Sequence, residues 1–225
     1  LVSSSQLMTE PIGRDRLTAA GMDHQPAITD SRLLVRASHV TPGGRLQFGH
    51  GGSQIAYPGR IPGSFDVDSA ATAANIAGLS EWYPAMSGQR VTHAWSGGVD
   101  RSPDGLPVFG TLPGRARIFY GIGWSGNGVG PGRIGGRILA SLALSRTDDW
   151  TECGLVGRAP SAPPAMLTYF GGKHLVRPAL LRSEKAEAEG RAVDPITKLL
   201  TRLVPQNSFT PKPTAHAAEI APTSE

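Results

Sequence analysis

The sequence predicts a mixed α/β (α+β) chain: antiparallel strands with one helix over residues 1–98, then a single strand–glycine loop–helix unit within 99–146. Three observations carry this. Short β-branched, aromatic or alternating runs occur at Ser4–Glu10, Leu33–Arg36, Arg45–Phe48 and Val91–Trp95. Ile118-Phe119-Tyr120 has the composition of a buried strand, and eight glycines follow within residues 121–136. Ile134, Ile138 and Leu142 then recur every four residues beside Leu139, the spacing of one helical face. Glycine costs conformational entropy, so a loop this rich in it needs a positive φ or a close approach of backbone to a ligand. The helix amino terminus that follows adds free N–H groups and partial positive charge, which suit an anionic or electron-rich group.

Taken in order, Ser4–Glu10 reads as a strand stopped by Pro11, and Pro11 to Thr29 reads as polar and irregular. Thr41-Pro-Gly-Gly44 supplies the turn of a hairpin between Leu33–Arg36 and Arg45–Phe48. His50, in a glycine-rich turn, is expected at the surface. Asp66 or Asp68 caps a helix over Ala70–Trp82, which turns Ile76 and Leu79 to one side and ends at Pro84. Trp82 and Tyr83 read as packing residues. Asp100 to Gly105 is a turn by composition, in which Asp100 and Arg101 are expected to pair structurally; Leu106–Gly110 is then a short strand edge. Beyond the last helix, Trp150 to Leu167 reads as loop, Arg182 to Arg191 as a solvated helix, and 205–225, rich in Pro, Thr and Ala, as a disordered tail.

Composition excludes several classes. The 39% hydrophobic content supports a real core, and the net charge of +4 comes from scattered arginines rather than the clustered stripe of a nucleic-acid binder. Cys153 is the single cysteine, so no internal disulfide or cysteine-rich metal site is expected. No apolar run is long enough to span a membrane, and the opening residues read as a strand rather than a leader. A cytoplasmic setting is the expectation.

Gly121-Ile-Gly123-Trp-Ser-Gly126 matches the dinucleotide pattern G-x-G-x-x-G. That pattern should open a βαβ unit, with an acid ending a second strand about 20 residues on. Asp148 and Asp149 stand near that distance but end no apolar strand, so a NAD(P)-binding unit is the weaker reading. A wider motif fits better. Thr92 to Gly110, with Trp95-Ser-Gly and Asp104-Gly-Leu-Pro107, followed by Ile118 to Gly136, resembles the carboxy-terminal part of FAD-dependent oxidoreductases of the D-amino-acid oxidase, glycine oxidase and sarcosine oxidase family. Met8–Pro11, Asp30–Arg32 and Thr41–Gly49 resemble its substrate-domain strands, and Phe170–Leu175 resembles an extension in some bacterial members.

The resemblance implies a division of the chain. Residues 1–98 would be part of the substrate domain, 99–146 the carboxy-terminal part of the FAD-binding domain, and 147–204 an extension. It also implies oxidation of a C–N bond of a small amine or amino acid, with hydride passing to the flavin. Gly123, Trp124, Ser125, Gly126, Asn127, Gly128 and Val129 would lie against the flavin ring, with Trp95 and Arg101 towards substrate. Val99 stands where glycine-oxidase-like relatives carry a carboxylate-binding arginine, so either Arg101 or another arginine substitutes for it, or the substrate lacks that carboxylate. No catalytic base is assigned and no metal is expected. Nothing upstream of Leu1 is in the sequence, so the expectation is the carboxy-terminal portion of a longer enzyme whose amino-terminal FAD-binding segment is missing, inactive alone. The alternative is a non-catalytic remnant or interaction module.

Overall fold

A computed structural model describes residues 1–32, 34–157 and 163–204. The first strand, β1 (Val2–Pro11), is the axis of a five-stranded antiparallel sheet ordered β2-β3-β4-β1-β5. Its partners are β4 (Arg45–Ile55) on one side and β5 (Val91–Val99) on the other, with β3 (Arg36–Val40) and the short β2 (Ala27–Thr29) beyond β4. The strict alternation of buried and half-buried residues along β1 assigns the two faces. Ser3, Ser5, Leu7 and Thr9 point to the covered face, and Ser4, Gln6 and Met8 to the other. Register carries that assignment outward: Leu7 stands opposite Phe48 and Ala94, whereas Gln6 stands opposite Gly49 and Trp95.

The helix α2 (Ser69–Trp82) covers the first face, capped by the Asp68 carboxylate, which accepts from the Ala71 amide at 3.0 Å. The core it closes contains Leu7, Leu46, Phe48, Val40, Leu79, Tyr83 and Met86, joined by Ile12, Leu17 and Met22. Leu17 belongs to a short helix, α1 (Arg14–Ala19), where the sequence suggested irregular chain. Its six residues carry one apolar contact, too few to show a period. Ile76, expected inward with Leu79, is exposed because the α2 positions that meet the sheet are Ala71, Asn75, Gly78 and Leu79.

His50 is half-buried rather than in a surface turn. It lies within β4 opposite Ser5, and its Nδ1 is 2.6 Å from the Asn75 Oδ1, while the Asn75 amide donates to the Ser5 carbonyl at 3.1 Å. The first strand of the hairpin, β3, begins at Arg36 rather than spanning Leu33–Arg36; Leu33 is outside the described residues, and Leu34 and Val35 line a cleft. The turn is where composition put it: the Arg45 amide donates to the Thr41 hydroxyl, and Gly44 has φ +74°.

A second, smaller layer follows. The ribbon β6 (Val108–Leu112) and β7 (Arg115–Ile122) is antiparallel, and α3 (Gly132–Ala143) packs against it through Gly135, Ile138 and Ser141. Ile118 is 49% exposed, not buried, and the outer edge of β7 pairs with no strand among the described residues. Ile134 is likewise turned outward. The extension holds α4 (Ala165–Gly171), a π-helical turn at Gly172–Val176, α5 (Arg177–Ala188) and α6 (Pro195–Thr201). Helix α5, expected as solvated, buries Ala179, Leu180 and Ala186. The tail from 205 onward lies outside the described residues.

Candidate functional site

The glycine loop between β7 and α3 owes its shape to the chain around it. Gly123, Ser125 and Gly126 have φ of +78°, +55° and +88°, the left-handed region that an L side chain resists. The Asp100 carboxylate accepts the Gly123 amide at 2.6 Å, and its carbonyl accepts the Ser125 amide at 2.9 Å. The buried Ser125 hydroxyl donates to the Gly123 carbonyl at 3.2 Å and accepts the Ser102 amide at 3.1 Å. Asp100–Ser102 and Gly123–Ser125 are therefore one interlocked unit, with Arg101 and Trp124 forming an antiparallel bridge. Asp100, expected to pair with its neighbour, spends its carboxylate on the loop. A carboxylate oxygen and the backbone carbonyl of one residue oriented at two loop amides is a geometry that composition cannot display.

Trp124 turns its ring inward. The indole N–H donates to the Gly121 carbonyl at 3.1 Å, and the ring stands edge-on to Phe109 with centroids 5.4 Å apart. Gly135 leaves room for both rings, since a Cβ there would collide with Trp124 and lie 2.9 Å from Phe109. Gly136, one residue on, has nothing within 4 Å of such an atom. Packing thus accounts for Gly135 but not for its neighbour.

The loop presents fewer donors than its length suggests. Gly123 and Ser125 spend their amides on Asp100, and Asn127 donates to the Trp124 carbonyl at 2.9 Å. The amides of Gly126, Gly128, Val129 and Gly130 make no hydrogen bond among the described residues. Gly128, Val129 and Gly130 stand just ahead of Pro131 and the start of α3, where the helix dipole is positive, and Gly126 stands further back in the loop. These are the groups able to meet an electron-rich ring edge of the kind that the resemblance to flavoenzymes implies.

A cleft of about 270 Å³ separates this loop from the uncovered sheet face. Gln6, Ser4, Gly49 and Gly51 form its floor, Leu34 and Val35 one wall, and Val99, Arg101, Ser125, Gly126 and Asn127 the other. A second depression, beside Trp124, Asn127 and Val129, is closed by Gly105, Leu106 and Pro107. Of the residues singled out in the sequence, Arg101, Ser125, Gly126 and Asn127 thus meet in the cleft, with Trp124 and Val129 on the far side of the same loop. Gly123 is turned to Ser102 and Gly128 packs on the Trp124 ring. Trp95 sits on the cleft face of the sheet opposite Gln6, 39% exposed, but does not line the cleft. Floor residues Ser4 and Gln6 and wall residue Leu34 carried no signal, being small or common residues brought together by strand register.

Arg101 is the one charged residue lining the cleft among the described residues. Burial lowers its pKa, which leaves an arginine charged at any ordinary pH. No group of three or more His, Cys, Asp or Glu among the described residues could hold a metal ion. No described helix is long and apolar enough to cross a membrane. The βαβ unit of the dinucleotide reading is also absent among the described residues: β7 pairs antiparallel with β6, and Asp148 sits in a turn, accepting from the Ser141 hydroxyl and the Trp150 and Thr151 amides.

Comparison with known proteins gives the family and the fold. Residues 1–142 match the family model described as FAD dependent oxidoreductase. The chain is 26% identical over 136 residues to gamma-glutamylputrescine oxidoreductase of Escherichia coli (strain K12), covering 60% of this chain and 29% of that protein. It is 30% identical over 124 residues to the probable oxidoreductase OrdL of Rhizobium meliloti (strain 1021), covering 55% and 26%. The chain thus spans less than a third of the length of these curated relatives. Among solved structures, fructosamine oxidase (Amadoriase II) from Aspergillus fumigatus superposes with a TM-score of 0.54 at 13% identity, over 69% of this chain and 37% of its own. Iminodiacetate oxidase from Chelativorans sp. BNC1 gives 0.51 at 12% identity, over 72% and 40%, a likeness of fold. Hooked glycine loop, α3 amino terminus and facing sheet occupy the matched residues, and the chain belongs to the family of FAD-dependent oxidoreductases.

Proposed function

We propose that this chain supplies the substrate-facing sheet and the flavin-facing loop of an enzyme that oxidises the carbon–nitrogen bond of a small amine or amino acid. The observation that carries the reading is the cleft itself: the loop that bears the unengaged Gly126 amide faces a sheet surface of uncharged side chains, with Arg101 in the lining, while the unengaged Val129 and Gly130 amides belong to the loop's far side. The names of the relatives, an oxidoreductase of gamma-glutamylputrescine and oxidases of fructosamine and iminodiacetate, favour an amine nitrogen at the reacting carbon. FAD, when bound, supplies the two-electron acceptor.

The chain's own residues have definite tasks in this reading. The amides of Gly126, Gly128 and Val129 donate to the electron-rich edge of the ring, fixed beforehand by the Asp100 hook, so that no reorganisation is needed as charge develops there. Arg101 orients a substrate carboxylate, the task that Val99 cannot perform. No Asp, Glu or His lines the cleft among the described residues, and no side-chain base is assigned; none is needed where the amine arrives in its neutral form. The 225 residues alone are expected to hold FAD weakly, since they contact it along one edge of the ring.

The test uses the full-length polypeptide that carries this chain. Its visible spectrum reports bound flavin, and oxygen uptake or dye reduction is followed with N-methylglycine, L-proline, D-alanine and the carboxylate-free N-methylbutylamine. Turnover of at least one amine is expected. If carboxylated amines are turned over, Arg101→Met should raise their KM at least tenfold and leave N-methylbutylamine unaffected. Bound flavin with no amine turnover would defeat the reading, and absence of flavin would favour the non-catalytic remnant.

A further inference from the structure

Three non-glycine residues adopt a positive φ among the described residues: Gln25 at +53°, Ser125 at +55° and Ser145 at +52°. Two of them have local explanations. Gln25 lies exposed in a turn that its amide closes on the Met22 carbonyl at 3.1 Å. Ser145, also exposed, follows Leu144 at the end of α3, where chains commonly turn left-handed. Ser125 ends no helix and is 7% exposed. A conformation of that kind persists only where the surroundings over-determine it, and such residues gather at functional sites.

The turn around Ser125 does not call for serine. The Asn127 amide closes it on the Trp124 carbonyl at 2.9 Å, and both central residues, Ser125 and Gly126, have positive φ. That pattern favours asparagine or glycine at the first central place, and glycine there would carry no strain. What serine adds is the hydroxyl. It donates to the Gly123 carbonyl at 3.2 Å, accepts the Ser102 amide at 3.1 Å and lies 3.3 Å from the Ser102 hydroxyl. With its own proton given to Gly123, the oxygen can only accept from Ser102, so its bonding capacity is filled. One buried oxygen thus ties the turn both to the residue that opens the loop and to a segment 23 residues earlier.

We infer that Ser125 is a positioning residue whose hydroxyl fixes the peptide between itself and Gly126, and so aims the Gly126 amide. Gly126 lines the cleft, and its amide makes no hydrogen bond among the described residues, whereas the Ser125 and Asn127 amides on either side are engaged. Gly126 itself, at φ +88° and without a side chain, does little to restrain that peptide. The restraint has to come from the Ser125 side. A donor fixed in direction before the reaction stabilises developing charge without reorganising, and a loosely held one does not. The inference rests on the reading in which this amide meets the flavin ring; the hold of the hydroxyl on the loop does not.

The test uses the full-length polypeptide that carries this chain, comparing the parent with Ser125→Gly and Ser125→Ala, and with Ser145→Gly as control. Two quantities are read: backbone hydrogen exchange, and the equilibrium between oxidised and reduced flavin against a reference dye. Both Ser125 variants should exchange roughly tenfold faster at the Ser102 amide, with β1 exchanging as before. Both should keep their flavin yet shift the equilibrium towards the oxidised form by roughly tenfold, the scale of one hydrogen bond to a charged group. Ser145→Gly relieves the same kind of φ and should move neither. Glycine suits the torsion at 125 better than serine, so a purely conformational role predicts a parent-like equilibrium in Ser125→Gly. An equilibrium within about twofold of the parent there would overturn the proposal. So would unchanged exchange at Ser102, loss of flavin from Ser125→Gly, or failure of that variant to fold, since the serine would then serve structure alone. A parent without bound flavin would defeat the amine-oxidation reading instead, and exchange at Ser102 would still decide whether the hydroxyl holds the loop.

Discussion

Two adjacent glycines on the last helix of the matched segment should respond to alanine with opposite signs. In a helix interior, Gly→Ala contributes about 1 kcal/mol through propensity alone. At Gly136 nothing lies within 4 Å of the new methyl, so that gain should appear undiminished. At Gly135 the methyl would collide with the Trp124 ring and approach Phe109 to 2.9 Å. Phe109 is 1% exposed and cannot swing into solvent. Overpacking of a tight site costs roughly 1–3 kcal/mol, which offsets or exceeds the propensity gain. The expected outcome is stabilisation by about 1 kcal/mol for Gly136→Ala, and destabilisation by up to about 2 kcal/mol for Gly135→Ala. Thermal unfolding of the full-length protein, followed by tryptophan and flavin fluorescence, resolves this at roughly 2–4 °C per kcal/mol. Because Trp124 is bonded to Gly121 and sits within the loop, Gly135→Ala should also lower flavin retention. Shifts of the same sign for both variants would refute the packing account.

Other outcomes follow from the same geometry. Gly126→Val puts a β-branched residue at φ +88° on the rim of the cleft and should cut flavin content or shift the flavin potential; Arg182→Ala, which removes a bond to Thr197 far from the loop, should do neither. Asp100→Ala removes a charge-assisted bond to the Gly123 amide and should cost about 1.5–3 kcal/mol in denaturant unfolding, with Asp100→Asn milder. Burial raises the pKa of Glu184 despite the nearby Arg36 and Arg32. The folded state therefore holds this proton more readily than the unfolded state, and stability falls as pH rises from the ordinary carboxylate range through the raised value. Glu184→Gln should flatten that part of a melting-temperature–pH profile; an unchanged slope would contradict the assignment.

The glycine loop and the hairpin turn were legible because glycine and proline announce themselves through backbone restriction. The sheet was legible in β1, where alternation is complete, and displaced in β3, where the apolar Leu34 and Val35 pack into a cleft wall instead of a ladder. Ile118 and Ile134 have the right types for burial, yet each is half exposed, and residue type alone does not say which face is covered. Asn75 and His50 are 25 residues apart and give no local sign of their pairing. The site was legible as a loop and not as a donor set. Sequence counts every amide from Gly123 to Val129, whereas the hook at Asp100 consumes two of them and the Trp124 turn a third.

That hook also bears on how the sheet finds its alignment. Strand β5 runs against β1 with Val99 opposite Val2, yet its inner and outer residues are only weakly distinguished. A slip by one residue would flip every side chain and be rejected on that ground. A slip by two would keep each side chain on its own face, and burial alone would scarcely penalise it. It would, however, carry Asp100 along the strand by about 7 Å, out of reach of Gly123 and Ser125. Two hydrogen bonds that serve the finished cleft thus also discriminate against a misaligned sheet, and the loop cannot assemble around the wrong pairing.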